Sequence, residues 1–96
     1  MQPDVIAHVE RGERGAFFIE RDSKRLAQMM YRRIDAALVD IYHTEVDASL
    51  AGQGIARRLL DAAVAWARET HTKVKASCPY ASAQFARDAS IRDVLA

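Results

Sequence analysis

The chain has 96 residues, 50% of them hydrophobic, and a net charge of +1. This length is enough for one folded domain and too short for two, so we treat residues 1–96 as one domain. Charge this close to neutrality argues against broad binding of nucleic acid, which needs clustered positive charge. A core of this size is modest, and either a monomer or a homodimer is consistent with it.

The single cysteine, Cys78, excludes an internal disulfide, and a free thiol suits a reducing compartment. The first four residues lack the basic-then-apolar layout of a signal peptide. No apolar run approaches the roughly 20 residues needed to cross a bilayer. These features predict a soluble cytoplasmic protein without a membrane partner.

The first half of the chain has apolar residues at every second position, which is typical of strands. We predict four strands, over residues 5–10, 16–20, 24–32 and 36–46. Gly12 and Gly15 provide a turn after the first, and Asp22 with Ser23 a tight connection after the second. Such short connections favour an antiparallel meander.

The second half changes to a helical period. Over residues 52–69, apolar side chains fall on one arc at about 100° per residue, which predicts a helix packed on the sheet. Residues 73–78 form a fifth strand with Val74, Ala76 and Cys78 on one face. Trp66, Phe17 and Phe18 are most simply interpreted as core residues.

The end of the chain predicts a second helix. Pro79 can open it, because the N–H that proline lacks would be unpaired there, and the helix should reach about residue 87. Ser90 with Asp93 could cap a last short turn. Since a strand, a helix and a strand form a right-handed crossover, strands four and five should be parallel. The prediction is an α+β fold: four antiparallel strands, a helix, a parallel fifth strand and a C-terminal helix.

The segment Gly-Gln-Gly-Ile at residues 52–55 lies between a strand and a helix. Two glycines let the backbone turn sharply and approach a ligand closely. The unpaired N–H groups of the following helix favour an anion such as phosphate, with Arg57 and Arg58 adding charge at its edge. The alternative is a tight loop without a ligand. The segment fits neither a Walker loop, which needs Gly-Lys-Ser/Thr, nor a dinucleotide-binding fold, whose glycines follow the first parallel strand.

Two further segments carry groups suited to proton transfer. His43 and Glu45 end the fourth strand and point to the same face if that strand is regular. Cys78 and Tyr80 follow the fifth strand, so Glu45 and Cys78 should flank one crevice beside the glycine turn. Cys78 is a candidate nucleophile or proton donor. The alternatives are a core cysteine, a packed tyrosine, a histidine packed in the sheet and a solvated glutamate.

Together, His-Thr-Glu-Val at 43–46, Gly-Gln-Gly-Ile at 52–55 and Cys-Pro-Tyr at 78–80 resemble the short, single-domain branch of the GNAT acetyltransferase superfamily. The resemblance covers nearly the whole chain. It implies an N-acetyltransferase that uses acetyl-CoA (coenzyme A) and acts on an amine of a small molecule or a protein. The acceptor itself is not implied.

The resemblance also implies a layout for the site. The pantetheine arm would lie along the backbone at Glu45 and Val46, and backbone N–H groups at residues 52–57 would hold the pyrophosphate. Either Glu45 or His43 would be the base, with Cys78 or Tyr80 as the acid and Cys78 alternatively a transient acyl carrier. No metal is implied. The cofactor-binding residues that follow are Val46, Leu50, Ala51, Gly52, Gln53, Gly54, Ile55, Ala56 and Arg57.

Three positions depart from the superfamily's pattern. Its glycine motif begins with Arg or Gln, where this chain has Ala51, and its tyrosine acid is replaced by Phe85. Lys75 is unusual in an interior strand, so one face of that strand should be open to solvent. These departures leave two alternatives to an enzyme: a module that binds or senses acyl-CoA without turnover, and a structural protein that has lost the ligand.

Overall fold

The computed structural model describes residues 5–96. Its five strands are β1 Ala7–Arg11, β2 Arg14–Arg21, β3 Lys24–Asp35, β4 Leu38–Val46 and β5 Lys73–Ala76. Its helices are α1 Ile55–Glu69 and α2 Pro79–Arg87, with 3₁₀ segments at Ala48–Leu50 and Ala89–Val94. Across residues 5–96, neither helix has the length and apolarity that a membrane span requires. The prediction about a signal peptide concerns residues 1–4 and lies outside the described part.

The sheet has the predicted topology. Its order is β1-β2-β3-β4-β5, with antiparallel pairs up to β4 and a parallel pair between β4 and β5. This arrangement confirms the α+β fold. The boundaries differ at the third turn, where β3 continues to Asp35 and β4 begins only at Leu38. The Asp35 side chain accepts a hydrogen bond from the Ala37 N–H, so the turn lies later than the apolar alternation indicated.

The core lies between α1 and one side of the sheet, which we call the inner side. The buried residues of α1 follow the predicted arc: Ile55, Leu59, Leu60, Ala63, Val64 and Ala67. They belong to the same cluster as Phe17, Met29 and Ile41 of the sheet. Trp66 is half-buried against this cluster, as predicted. The prediction for Phe18 was wrong, because Phe18 points to the other side, the outer side, and is half-exposed.

Gly15 has a different role from the predicted one. The first turn contains only Gly12 and Glu13, and Gly15 lies within β2. A Cβ on Gly15 would lie 2.2 Å from Cζ of Tyr31 on the neighbouring strand. The absence of a side chain therefore makes room for the buried Tyr31 ring.

The end of the chain corrects two predictions. β5 stops at Ala76, so Cys78 is not a strand residue but precedes α2 as its N-cap. The last turn is capped by Asp88, whose carboxylate accepts from the Ser90 N–H. Asp93 instead pairs with Arg68 on α1. Lys75 is exposed, as expected for a strand with one open face.

Gly15→Ala should lower the free energy of unfolding by about 1–3 kcal/mol, because the new methyl group overpacks against the Tyr31 ring. Urea unfolding measures this change. In a Tyr31→Leu background the same substitution should have little effect, since the ring is gone. An equal loss in both backgrounds would show that the Tyr31 ring is not the reason for Gly15.

Candidate functional site

The glycine turn opens α1 without a side-chain cap. Gly52 and Gly54 have φ of 77° and 70°, the left-handed region that favours glycine. Gly54 is the N-cap of α1 and has no side chain to accept from the first-turn amides. Because those N–H groups have no partner within the helix and carry the positive end of its dipole, the turn suits a phosphate group.

A groove of about 260 Å³ runs along this turn. Its walls come from the end of β4, the glycine turn, the first turn of α1 and the start of α2. The residues that line it are Val46, Leu50, Ala51, Gly52, Gly54, Ile55, Ala56, Arg57 and Tyr80. The groove therefore joins eight of the nine predicted cofactor-binding residues, all except Gln53, to Tyr80.

A gap between β4 and β5 continues the groove. The parallel ladder between these strands ends at the pair Ile41 and Ala76. Beyond it, the Cys78 N–H still donates to the Ile41 carbonyl over 2.9 Å, and then the chain enters α2. The stretch of β4 from Tyr42 to Val46 consequently has β3 on one side and no β5 partner on the other.

The direction of the β4 amides in this gap follows from the pairing with β3. The Asp47 N–H donates to the Leu26 carbonyl of β3 over 2.7 Å. Since successive residues of a strand direct their amides to opposite edges, the Val46 N–H points into the gap. It is a main-chain donor available to an oxygen of a bound molecule.

A β-bulge decides where the predicted base residues lie. Met30 pairs with His43 and Tyr31 pairs with Ile41, so Tyr42 is an extra residue in β4. Without it, Ile41, His43 and Glu45 would share the inner side. With it, His43 and Glu45 point to the outer side, together as predicted but away from Cys78. The expectation that Glu45 and Cys78 face one crevice was wrong for this reason.

His43 and Glu45 form a hydrogen-bonded pair on the outer side. The His43 Nε2 lies 3.1 Å from Glu45 Oε2, and both side chains are about half-exposed, at 52% and 56%. The Gln28 amide also donates to Glu45. The hydrogen bond from Gln28, followed by that from His43, holds the pKa of Glu45 below its ordinary value. Glu45 is thus ionised near neutral pH and is a weak base.

Cys78 is buried beside Thr44, the residue between the two candidate bases. The Cys78 Sγ lies 3.3 Å from Thr44 Oγ1, and Cys78 is only 3% exposed. Its position is fixed by Asp40, a buried carboxylate on β4, which accepts from both the N–H and the hydroxyl of Ser77. The sulfur therefore borders the gap from the inner side.

Tyr80 is half-buried in the first turn of α2 and lines the groove. Burial raises the pKa of its hydroxyl above the ordinary value. The phenol is therefore protonated near neutral pH and is available as a hydrogen-bond donor.

The guanidinium of Arg57 is held by three side chains rather than by the glycine turn. It pairs with Asp61 at 2.9 Å, donates to Gln84 at 2.9 Å, and pairs with Asp88. These contacts tie α1 to α2. The part of Arg57 suited to an anion is consequently its main-chain amide, since two carboxylates already balance its side-chain charge.

Sequence reasoning missed Thr44, Asp40 and Gln28. Asp40 had a detectable signal, because it is a carboxylate within an otherwise apolar stretch of strand. Thr44 and Gln28 had none, because their importance depends on which neighbours the bulge brings to them.

The sequence profile of the GCN5-related N-acetyl-transferase family matches residues 16–94. A GCN5-like protein from Staphylococcus aureus, solved by NMR, is 33% identical, with a TM-score of 0.76 over 100% of this chain and 91% of that one. The chain belongs to the GCN5-related N-acetyltransferase family. This membership and the fold together support an N-acetyltransferase.

More distantly related solved structures share the fold with this chain. An aminoglycoside acetyltransferase from a soil metagenomic sample has a TM-score of 0.61 at 19% identity, over 80% of this chain and 57% of that one. A ribosomal-protein-alanine N-acetyltransferase from Brucella melitensis has a TM-score of 0.58 at 18% identity, over 88% and 64%. No curated protein matches the sequence. The acceptors in these two names differ, so the fold does not identify the acceptor.

One departure from the GCN5-related pattern has a structural explanation. Phe85, at the position where the pattern has a tyrosine acid, is 2% exposed and belongs to the core cluster. A hydroxyl at that position would be buried with the core. Among the predicted acids, Cys78 lies beside the gap and Tyr80 lines the groove.

Asp40→Ala should lower the free energy of unfolding by about 1–3 kcal/mol, because the Ser77 N–H and hydroxyl lose their hydrogen bonds to a charged acceptor. Asp40→Asn keeps one acceptor oxygen and should lose less. Asp40→Ala should also speed alkylation of Cys78 by iodoacetamide, since the Ser77 turn holds the cysteine in place. Urea unfolding and mass spectrometry measure the two effects. Glu20→Ala on the exposed end of β2 is the control, and equal behaviour of Asp40→Ala and Glu20→Ala would contradict the role of Asp40.

Proposed function

We propose that the protein, acting as a single domain, transfers an acetyl group from acetyl-CoA to a primary amine. The observation that carries this proposal is the continuity of the glycine turn, the groove and the gap beside β4. A diphosphate joined to a long, narrow arm and a thioester has the shape that such a path admits. The chemistry of the donors along the path supports the same assignment.

The first part of the path suits the diphosphate. The unpaired amides at residues 52–57 would donate to its oxygens at the positive end of α1. Ala51 provides no side chain there, so binding would depend on the main chain. Leu50 is buried beneath the turn and keeps its backbone in place.

The second part of the path suits the pantetheine arm and the thioester. The arm would take the place of the missing β5 partner along Tyr42–Val46 of β4. The Val46 N–H would then donate to the thioester carbonyl and stabilise the negative charge that develops on its oxygen. The same hydrogen bond orients the carbonyl carbon towards the acceptor.

His43 is the group we assign as the base. The acceptor amine must lose a proton to attack the carbonyl carbon, and an imidazole suits this task near neutral pH better than a carboxylate of lowered pKa. Glu45 would orient the ring through its 3.1 Å contact and stabilise the imidazolium that forms. Both side chains are about half-exposed on the outer side. The amine would therefore pass its proton to His43 directly or through one water molecule.

Cys78 or Tyr80 would return a proton to the departing thiolate. When the carbon–sulfur bond breaks, the electron pair stays on sulfur, and a nearby O–H or S–H completes the thiol. Tyr80 lines the groove in its protonated form, and Cys78 borders the gap beside Thr44. A thiol of ordinary pKa near 8.5 leaves readily, so loss of either acid alone should have a moderate effect.

Gly54→Ala should weaken CoA binding by roughly 10- to 100-fold. Alanine disfavours the left-handed conformation of Gly54, so the turn would shift and one of its amides would lose a charge-assisted hydrogen bond to the diphosphate. Gly12→Ala is the matched control. It has a similar φ of 62°, it has equally open space around the Cβ, and it lies in the first hairpin. Both variants should lose about 1–2 kcal/mol of stability. The Kd for CoA is measured by calorimetric titration. The same Kd in both variants would show that the glycine turn does not bind the diphosphate.

The rate kcat/KM should rise with pH as the base loses its proton, and His43→Gln should remove that rise. Glu45→Gln should keep that rise but lower kcat/KM at every pH, because the imidazolium loses the carboxylate that orients and stabilises it. Stopped assays across pH 5–9 measure the profiles. An unchanged profile in both variants would exclude this pair from proton transfer.

Cys78→Ala and Tyr80→Phe should each lower kcat by roughly tenfold while leaving the Kd for CoA nearly unchanged. Release of free thiol measures kcat, and calorimetry measures binding. If either variant keeps full activity, that residue is not the acid. If an acetylated protein is trapped by mass spectrometry and disappears in Cys78→Ala, the cysteine is instead an acyl carrier.

A module that holds acyl-CoA without turnover is the second candidate. It is favoured by the burial of Phe85, which removes the pattern's acid, and by the lowered pKa of Glu45. Calorimetry and thiol release separate the two candidates. Tight binding of acetyl-CoA with no thiol released over a broad panel of amines would favour the module, and no heat with CoA would exclude both.

A further inference from the structure

The outer side of the sheet has no helix packed on it within residues 5–96. Sheet residues of the core, such as Phe17 and Met29, all belong to the inner side, and buried residues of both helices join the same cluster. On the outer side only the small Ala16 and the hydrogen-bonded Asp40 are buried. The outer side includes the candidate base on β4 and extends across β2, β3 and β5.

The strand register arranges the outer side chains in three rows. The row nearest the site is polar at one end and aromatic at the other: Glu45, Gln28 and Phe18. The second row is mainly apolar: His43, Met30 and Ala16. The third row is charged: Lys75, Asp40, Arg32 and Arg14.

The rows differ in the chemistry that they present. The Arg25 guanidinium lies 4.0 Å from the centre of the Phe18 ring and donates to Gln28. In the third row, the buried Asp40 carboxylate lies 3.8 Å from the Arg32 guanidinium, and the Arg32 side chain is 55% exposed. Solvent at the third row therefore meets mainly positive charge, and solvent at the first row meets the Glu45 carboxylate together with the Arg25 guanidinium.

We infer that this outer side binds the acceptor as a protein segment, in which apolar and then acidic residues flank the amine. The inference rests on the proposed acetyl transfer. Rows along a strand repeat at about 7 Å, so the third row lies about 7 Å from His43 and about 14 Å from Glu45. A small amine whose ammonium group lies at Glu45 cannot span the longer distance. An extended peptide advances about 7 Å per two residues, so an acidic side chain about four residues from a lysine reaches Arg32.

The charge pattern favours an acidic peptide over a nucleic acid. A phosphate backbone carries negative charge along its whole length and would meet the Glu45 carboxylate at the site. A peptide can place its ammonium group at Glu45 and its carboxylates at Arg14 and Arg32. Apolar side chains between them would cover Met30 and Phe18.

The test compares peptides with a single acceptor lysine, alanine and leucine spacers, and either aspartate or arginine four residues away on both sides. The aspartate peptide should have the higher kcat/KM. The double variant Arg14→Gln/Arg32→Gln should lower that value by roughly threefold to thirtyfold, and 0.5 M salt should act in the same direction. Arg87→Gln, an exposed charge on α2, should have no effect. Transfer to free lysine should not change in either variant.

Several results would overturn the inference. Equal kcat/KM for both peptides, or no loss in the double variant, would show that the outer side does not bind the acceptor. Neither result would affect the proposed acetyl transfer itself. Preference for the arginine-flanked peptide would also contradict the inference, as would binding of single-stranded RNA to the outer side, detected by amide chemical shifts. Absence of transfer to every amine, with CoA still bound, would instead remove the proposed function and this inference together.

Discussion

The hydrogen-bond ladder between β4 and β5 ends after the pair of Ile41 and Ala76, and the rest of the site depends on that end. Past it, the main chain of β4 keeps donors without a strand partner, and backbone donors in a fold require partners. The Asp40 carboxylate stabilises this gap by accepting a hydrogen bond from the Ser77 N–H, directly after the end of β5. The early end of β5 is therefore maintained by a buried polar contact as well as by the shortness of the strand.

The bulge at Tyr42 divides the roles of the residues around this opening. It leaves Thr44 on the inner side with Cys78, and it turns His43 and Glu45 to the outer side. The proposed proton acceptor and the proposed proton donor Cys78 thus lie on opposite sides of one strand. In the proposed acyl transfer, the amine would approach from one side and the thiolate would depart along the other.

The small size of the chain has a consequence for the acceptor. The helices α1 and α2 both contribute to one inner core, and the guanidinium of Arg57 ties them together through Gln84 and Asp88. The outer side is left to solvent across the described residues. We propose that this open side, with its rows of charge, recognises the acceptor as an extended segment.

The sequence by itself determined the element order, the parallel fifth strand and the glycine turn. These features follow from local rules: alternation at period two, an apolar arc at period 3.6, and glycines before a helix. It also predicted the residues of the candidate site, from His43 to Tyr80. Only the tertiary structure decided where they point. One extra residue in β4 reverses the side of every side chain after it, and neither composition nor spacing marks which residue is extra.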